Sequence, residues 1–296
     1  MKLGKLGIWI GLDSVTANRA LEIAKRVEAR GYSALWIPES RGRNVLVNSA
    51  WLLAGTQKLI VAPGIANIYA RDPMAMAAGQ RGLNEQSGGR FLLGLGVSHV
   101  PTVNTLRGHV YGKPVATMRA YLDAMRAAPY IAPPPAEPPL TILAALGPRM
   151  LALSAEHADG AHPYNVPPEH TAAARRILGP HKLLCPEQMV VLEKNPAEAR
   201  RIGRAALERY MKLDNYVNNW RRLGFTDDDF AGGGSDRFID ANVAWGDEAA
   251  IRARVQAHWD AGADHVCIQP IRLDGAAQVL DERIVDLLAP AGEIVS

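Results

Sequence analysis

Patterns typical of strands and helices alternate along all 296 residues, and this alternation constrains the fold more than any other feature of the chain. Each short apolar run is followed by a segment whose apolar residues recur at helical spacing. Strands that alternate with helices predict a parallel sheet covered by helices. The predicted strands are residues 6–10, 34–37, 59–62, 91–95, 141–145, 159–162, 184–192 and 265–269. Eight strand–helix units in a chain of this length favour a closed (β/α)₈ TIM barrel, with an open doubly wound sheet as the alternative.

Two segments interrupt the alternation, but neither has the character of a linker between domains. Residues 128–140 contain six prolines and predict a rigid loop before the fifth strand. Residues 224–236 combine three consecutive aspartates with three consecutive glycines and predict a mobile insertion before the last strand. A final helix is predicted over residues 276–288. We therefore expect one α/β domain that spans residues 1–296.

Composition and charge exclude several classes of protein. The two cysteines, Cys185 and Cys267, are far apart and outside any metal-ligand spacing, so we expect no disulfide framework, no metal site and a reducing, cytoplasmic location. The first residues lack a signal-peptide pattern, and no apolar stretch approaches the roughly 18 residues of a membrane span. The formal net charge of +3 is too small to predict a nucleic-acid partner.

The carboxyl ends of the strands are where a barrel of this type places its active site. At the fourth strand, Gly94 and Gly96 resemble the start of a dinucleotide-binding fingerprint, but its third glycine would fall at His99. Two interpretations of these glycines remain open. They could let the backbone approach a flat ligand, with Ser98 binding a polar edge, or they could relieve crowding inside the barrel.

Other strand ends carry candidates for anion binding and for proton transfer. Gly147, Pro148 and Arg149 precede a helical run, which combines free backbone N–H groups with a cation. From these residues alone, an ordinary turn with a solvated arginine is the preferred explanation. Glu39 and His99, and also His162, could exchange protons with a substrate, although isolated polar residues at strand ends are more often structural.

Six segments along the chain together resemble the luciferase-like monooxygenase superfamily, and within it the oxidoreductases that use the deazaflavin coenzyme F420. They follow the order of that family and cover nearly the whole chain. The segments are residues 64–73, 89–99, 111–114 with Met118 and Arg119, 144–148, 158–164 and 261–266. The resemblance implies a luciferase-like barrel, a homodimer and a non-proline cis peptide at Gly64–Ile65 or its neighbour.

The same resemblance implies which residues hold the cofactor. The bulge after the third strand would lie behind the central ring of the cofactor and contact the polar edge of that ring. Residues at the end of the fourth strand and a lysine would line the cofactor. The end of the fifth strand would bind the phosphate of the cofactor. The residues carried over are Gly64, Ile65, Ala66, Asn67, Gly96, Val97, Ser98, Lys113, Ala145, Leu146, Gly147, Pro148, Arg149 and Met150, to which we add His162.

The function implied is hydride transfer between coenzyme F420 and a small organic substrate, with Glu39 and His99 as the catalytic candidates. Related sugar-phosphate and alcohol dehydrogenases pair an acid with a histidine after the second strand, whereas here Ser40 follows Glu39. This difference favours reduction of a small unsaturated or heterocyclic substrate over alcohol oxidation. Two alternatives remain, an FMN-dependent monooxygenase served by a partner reductase, and a non-catalytic barrel that binds flavin or deazaflavin.

Overall fold

The computed structural model of the protein describes residues 1–272 and 280–290. All strand pairs in these residues are parallel. The strands are β1 Leu6–Trp9, β2 Ala34–Ile37, β3 Ile60–Pro63, β4 Ala66–Asn67, β5 Leu93–Gly96, β6 Thr141–Leu143, β7 Gly160–Ala161, β8 Leu183–Leu184, β9 Glu187–Val191, β10 Val243–Trp245 and β11 Val266–Pro270.

Helices follow the strands and cover the outside of the sheets. They are α1 Ala17–Ala29, α2 Val45–Ala54, α3 Pro73–Ser87, α4 Pro114–Ala127, α5 Pro148–His157, α6 Pro168–Leu178, α7 Pro196–Leu207, α8 Asp214–Arg222, α9 Asp227–Phe230, α10 Asp236–Asn242, α11 Glu248–Asp260 and α12 Glu282–Leu287. A π-helix spans Pro101–Leu106, and short 3₁₀ turns span Tyr210–Lys212 and Ala231–Gly233. No helix in the described ranges has the length and apolar character to cross a membrane.

Backbone hydrogen bonds join the two parallel sheets into one circuit. One sheet has the order β10-β9-β11-β1-β2-β3 and the other β4-β5-β6-β7-β8. At one junction, Val61 of β3 donates to the carbonyl of Arg90 and accepts from the amide of Leu92. At the other, Cys185 lies between β8 and β9 and donates to Ala161 of β7, while Cys267 of β11 donates to Pro186. With β3–β4 and β8–β9 each acting as one strand, and with β10 outside the circuit because it pairs with β9 alone, eight strands complete the expected barrel.

Most sequence-predicted strands coincide with observed ones to within two residues, but two short strands were missed. Residues 184–192 contain β9 but are interrupted at Cys185 and Pro186, and β8 begins one residue earlier. The strands β4 and β10 have two and three residues, which is too short for a periodic pattern to show. The predicted helix 276–288 falls partly outside the described residues, and its described part contains α12.

The two interrupting segments differ in structure. The proline-rich segment 128–140 has no regular secondary structure, as predicted. The segment 224–236 instead folds into α9 and a 3₁₀ turn before α10. The Asp229 carboxylate accepts hydrogen bonds from the Thr226 amide and the Ser235 hydroxyl, and it pairs with Arg237. Phe230 packs against Phe238 with ring centroids 5.5 Å apart. The aspartates and glycines therefore cap and turn short helices.

Packing inside the barrel decides between the two interpretations of Gly94 and Gly96. A Cβ atom on Gly94 would lie 2.1 Å from the backbone oxygen of Pro63, and one on Gly96 would lie 2.5 Å from the side chain of Ile65. Both glycines are therefore required by close packing against the neighbouring strand. Approach to a ligand is not needed to explain them.

We predict that Gly94→Ala destabilises the protein by about 1–3 kcal/mol, because the added methyl group meets backbone that cannot move without shifting β3. Thermal and denaturant unfolding measure the difference. The control is Gly82→Ala in α3, where the nearest atom to the new Cβ is 3.8 Å away. The free energy of unfolding of this control should increase by about 0.5–1 kcal/mol, because alanine loses less conformational entropy than glycine inside a helix. Equal effects of the two substitutions would contradict the packing argument.

Candidate active site

A bulge between β3 and β4 forms one wall of the barrel mouth. The peptide bond Gly64–Ile65 is cis, which confirms the expected position. Trp9 of β1 donates its indole N–H to the Gly64 carbonyl oxygen at 3.2 Å. The Ile65 side chain lies over Gly94 and Gly96 inside the barrel. The bulge is thus held by a neighbouring strand on each side.

A buried ion pair between Glu39 and Arg71 supports this bulge through a hydrogen bond from the Asn67 amide to Glu39. The two side chains are 5% and 9% exposed. The Glu39 carboxylate accepts from both terminal nitrogens of Arg71, from the Asn67 amide at 2.9 Å and from the Val45 amide at 3.3 Å. Since four donors occupy both oxygens, the geometry gives Glu39 a positioning role and favours His99 as the group that transfers protons.

His99 lies at the end of β5, where the backbone turns sharply. Ser98 has a φ of +58°, and its carbonyl oxygen accepts from the Tyr111 hydroxyl at 3.3 Å. His99 hydrogen-bonds with Asn215 and lies 5.8 Å from the ring of Tyr216, both in α8. Burial lowers the pKa of His99, so the imidazole is neutral at pH 7. The insertion region, which in the structure comprises residues 192–242 between β9 and β10 and includes the predicted segment 224–236, therefore positions a neutral histidine at the mouth. Sequence analysis missed this partnership.

The amino terminus of α5 carries the residues proposed for an anion site, and the structure brings a further cation to them that the sequence did not indicate. Gly147 precedes the helix without a side-chain cap, and Arg149 is exposed. The Arg222 guanidinium of α8 lies against Gly147, with Nη1 3.5 Å from a Cβ built there. Within the described residues neither arginine forms an ion pair with a carboxylate. Helix dipole, free amides and Arg222 together favour an anion at this point.

Several predicted cofactor contacts point away from the mouth. Their side chains pack between the strands and the outer helices, so only their backbone groups can face a ligand. These residues are Ala66, Val97, Ala145 and Met150. Leu146 packs with the insertion region, and Lys113 is exposed at the start of α4. The Asn67 side-chain oxygen accepts from the Tyr69 amide.

His162 lies deeper in the barrel than sequence analysis suggested. It is 1% exposed and stacks on Trp36 with centroids 4.5 Å apart. Its Nδ1 is 2.7 Å from the Cys185 carbonyl oxygen, so Nδ1 carries the proton and the unpartnered Nε2 is an acceptor. Burial lowers the pKa of His162 to about 4, which keeps it neutral. It fits a role as a buried contact better than one as a proton donor.

A chain of hydrogen bonds joins Tyr164, Gln269 and Tyr210 at the mouth. The Tyr164 hydroxyl donates to Oε1 of Gln269 at 2.7 Å, so its oxygen must accept from the Tyr210 hydroxyl at 2.9 Å. Tyr210 in turn accepts from Arg209. Trp9 lies 5.0 Å from Tyr164, centroid to centroid. This wall is aromatic and polar, and it joins the barrel to the insertion region.

Glu187, at the start of β9, is a fully buried carboxyl group on the same side of the barrel. Its Oε2 accepts from the Asn165 amide at 3.0 Å, while Oε1 has no partner. Burial raises the pKa of Glu187 to about 8. The neutral carboxylic acid is therefore the prevailing form at pH 7.

Sequence analysis missed Tyr210, Glu187 and Arg222, and assigned no role to Gln269. Glu187 occurs inside an apolar run where alternation with period two would have pointed it into the barrel. Arg222 and Tyr210 are contributed by the insertion region, where no strand end marks a site. Across the described residues, His, Cys, Asp and Glu side chains form no group of three or more that could hold a metal ion.

Comparison with known proteins gives a consistent family. A sequence model described as luciferase-like monooxygenase matches residues 3–265. A putative coenzyme F420-dependent oxidoreductase of Mycobacterium tuberculosis is 32% identical over 127 residues, which are 43% of this chain and 36% of that protein. The 5,10-methylenetetrahydromethanopterin reductase of Archaeoglobus fulgidus is 30% identical over 171 residues, 51% of each chain. The matches thus span between about a third and a half of these relatives.

A solved structure extends the likeness to the whole fold. The coenzyme F420-dependent tetrahydromethanopterin reductase of Methanopyrus kandleri superposes with a TM-score of 0.72 at 17% identity, covering 98% of both chains. At this level of identity the likeness concerns the fold. It supports the barrel described above.

We predict that Glu187→Gln makes the protein more stable at high pH. The unfolded chain loses this proton near pH 4.5, whereas the folded chain holds it to about 8, so wild-type stability falls as pH rises through that window. Between these two pH values, the free energy of unfolding of the variant should rise relative to that of wild type by up to about 1.4 kcal/mol per pH unit. Denaturant unfolding from pH 4 to 9 measures this. A constant difference across the range would show that Glu187 does not titrate as described.

Proposed function

Because the chain belongs to the luciferase-like monooxygenase family, we propose that this oxidoreductase uses coenzyme F420 to transfer a hydride to or from a small organic substrate. The observation that carries the proposal is the match of at least 30% identity to relatives named as F420-dependent oxidoreductase and methylenetetrahydromethanopterin reductase. These names support the F420 branch over the FMN monooxygenases that share the family.

The residues at the mouth fit a flat ring with an anionic chain. The bulge at Gly64–Ile65 gives a wall supported by Trp9, and Tyr164 gives an aromatic wall that excludes water. The amino terminus of α5 with Arg222 suits a phosphate group. A bound deazaflavin would supply or accept the hydride.

The protein residues would orient the reactants and manage one proton. The Glu39–Arg71 pair keeps the bulge in place through the Asn67 amide. A neutral His99 can donate a hydrogen bond to an oxygen on which negative charge develops, and it can accept a proton when the reaction runs in reverse. Ser40 follows Glu39 where dehydrogenases of this group have a histidine, so reduction of an unsaturated substrate fits better than alcohol oxidation.

We predict that the protein binds F420 at micromolar concentration or tighter and that Arg222→Ala weakens binding about tenfold or more, because a charge-assisted hydrogen bond to the phosphate is lost. Titration followed by cofactor absorbance and fluorescence measures both effects. The matched control is Arg221→Ala, since Arg221 pairs with Asp227 instead. Binding of FMN in preference to F420 would assign the chain to the monooxygenase branch. Binding of neither would reject the proposal.

The homodimer that the resemblance implies remains a proposal. Exposed apolar side chains on the adjacent helices α2 and α3, Val47, Trp51 and Met74, suit such an interface. We predict that Val47→Glu weakens a wild-type dimer at least tenfold, as measured by light scattering over a dilution series. Ile131→Glu in the loop 128–140 is the control, because Ile131 is an exposed apolar residue outside α2 and α3. A monomeric wild type, or equal loss in both variants, would contradict the prediction.

A further inference from the structure

The hydrogen-bond chain at the barrel mouth determines which way the Gln269 amide faces. Its Oε1 accepts from Tyr164, whose own oxygen is engaged by Tyr210. The Gln269 Nε2 group is buried and has no partner. Gln269 therefore presents an unused N–H donor at the end of β11.

The Glu187 carboxyl group is oriented in a similar way. Because Oε2 accepts from the Asn165 amide, the proton of the neutral acid belongs on Oε1, the atom without a partner. Glu187 is 0% exposed, and this burial raises its pKa more than the Asn165 amide and the nearby Arg209 lower it. It therefore presents an unused O–H donor.

Both donors face the barrel interior from adjacent strands. Cys267 pairs with Glu187 and Gln269 with Met189, so Glu187 and Gln269 lie one pleat apart on the same face of the sheet. The consecutive residues Tyr164 and Asn165 hold them in place. Leaving such buried donors unpaired costs about 1–3 kcal/mol each, so a bound group is expected to satisfy them.

We propose that Glu187 and Gln269 form a two-donor clamp for the carbonyl oxygen of the substrate, which makes a conjugated carbonyl compound the substrate class. The inference rests on the proposed function and refines it. A carbonyl oxygen has two lone pairs and can accept from both donors, whereas an imine nitrogen has only one. The clamp therefore selects enone-like substrates over imines.

The clamp would also assist the chemical step. When a hydride with its electron pair forms a C–H bond at the β-carbon, the C=C π bond shifts and the carbonyl π electrons move onto oxygen. The substrate is reduced by two electrons, the reduced deazaflavin that supplies the hydride is oxidised, and a proton from water completes the saturated ketone. Two donors at the oxygen stabilise the negative charge that develops there.

The test uses 2-cyclohexen-1-one with a ¹³C-labelled carbonyl, added to protein saturated with oxidised F420, so that binding occurs without turnover. Hydrogen bonding should move the carbonyl resonance downfield. Gln269→Met and Glu187→Met should each weaken binding about tenfold and reduce that shift. Glu187→Gln keeps a hydrogen-bond donor at this position, so it should retain both the binding affinity and the downfield shift. Wild-type binding should weaken above pH 8, where Glu187 loses its proton, and Glu187→Gln should lack this dependence.

Gln80→Met provides a matched control, because Gln80 is a buried glutamine that donates to Leu140 and Thr141 at the other end of the barrel. An unchanged resonance in wild type, or equal losses in the control, would overturn the clamp. If the two Met variants weaken F420 itself, the clamp holds a cofactor carbonyl and the substrate assignment is wrong.

The clamp and the cofactor proposal fail separately. If F420 binds but Gln269→Met and Glu187→Met do not change binding of the ketone, the clamp is rejected and the cofactor proposal stands. If neither cofactor binds, the same ketone titration on the apoprotein decides the clamp, and its dependence on Glu187 and Gln269 would support the clamp without the F420 chemistry.

Discussion

The limited space inside the barrel is the constraint on which the rest of the structure depends. Eight strands enclose room for few side chains, so a large residue on one strand requires a small one beside it. Ile65 projects into the barrel from the bulge because Gly94 and Gly96 leave room for it. In the same way, the absence of a side chain at Gly7 leaves room for His265, whose Nε2 would lie 2.6 Å from a Cβ on that glycine. The shape of the mouth follows from this packing of large side chains against glycines on neighbouring strands.

Polar groups inside the barrel divide into those that are fully paired and those that are not. The Glu39–Arg71 pair and the Trp36–His265 hydrogen bond are satisfied within the protein, so they maintain structure. Glu187, Gln269 and His162 each leave one atom without a partner. Since an unpaired buried polar atom is costly, and since Glu187 and Gln269 also lie on the same face of the sheet, these two residues are candidates for contact with a ligand.

The insertion region contributes more to the site than its sequence indicates. Its helix α8 supplies Tyr216 and Asn215 to His99, and Arg222 to the anion site beside Gly147. Because Trp220 of α8 donates to the Asn165 carbonyl oxygen, the insertion is anchored to the strand end that orients Glu187. One segment outside the barrel circuit thus contacts His99, the amino terminus of α5 and the strand end beside Glu187, which are the groups proposed for proton transfer, anion binding and hydrogen-bond donation.

The sequence by itself determined the parallel α/β architecture and the helix terminus after Gly147, because these depend on local periodicity and turns. The family resemblance placed a cis peptide at Gly64–Ile65 or its neighbour, and the structure has it at Gly64–Ile65. The tertiary structure decided the roles. Glu39 became a positioning residue because Arg71 lies against it, and Gly94 and Gly96 serve packing because Ile65 fills the space beside them. Glu187, Gln269 and Arg222 become candidates only through partners that are distant in sequence. Hydrogen-bond pairing and burial are properties of neighbours in space, which spacing along one chain does not specify.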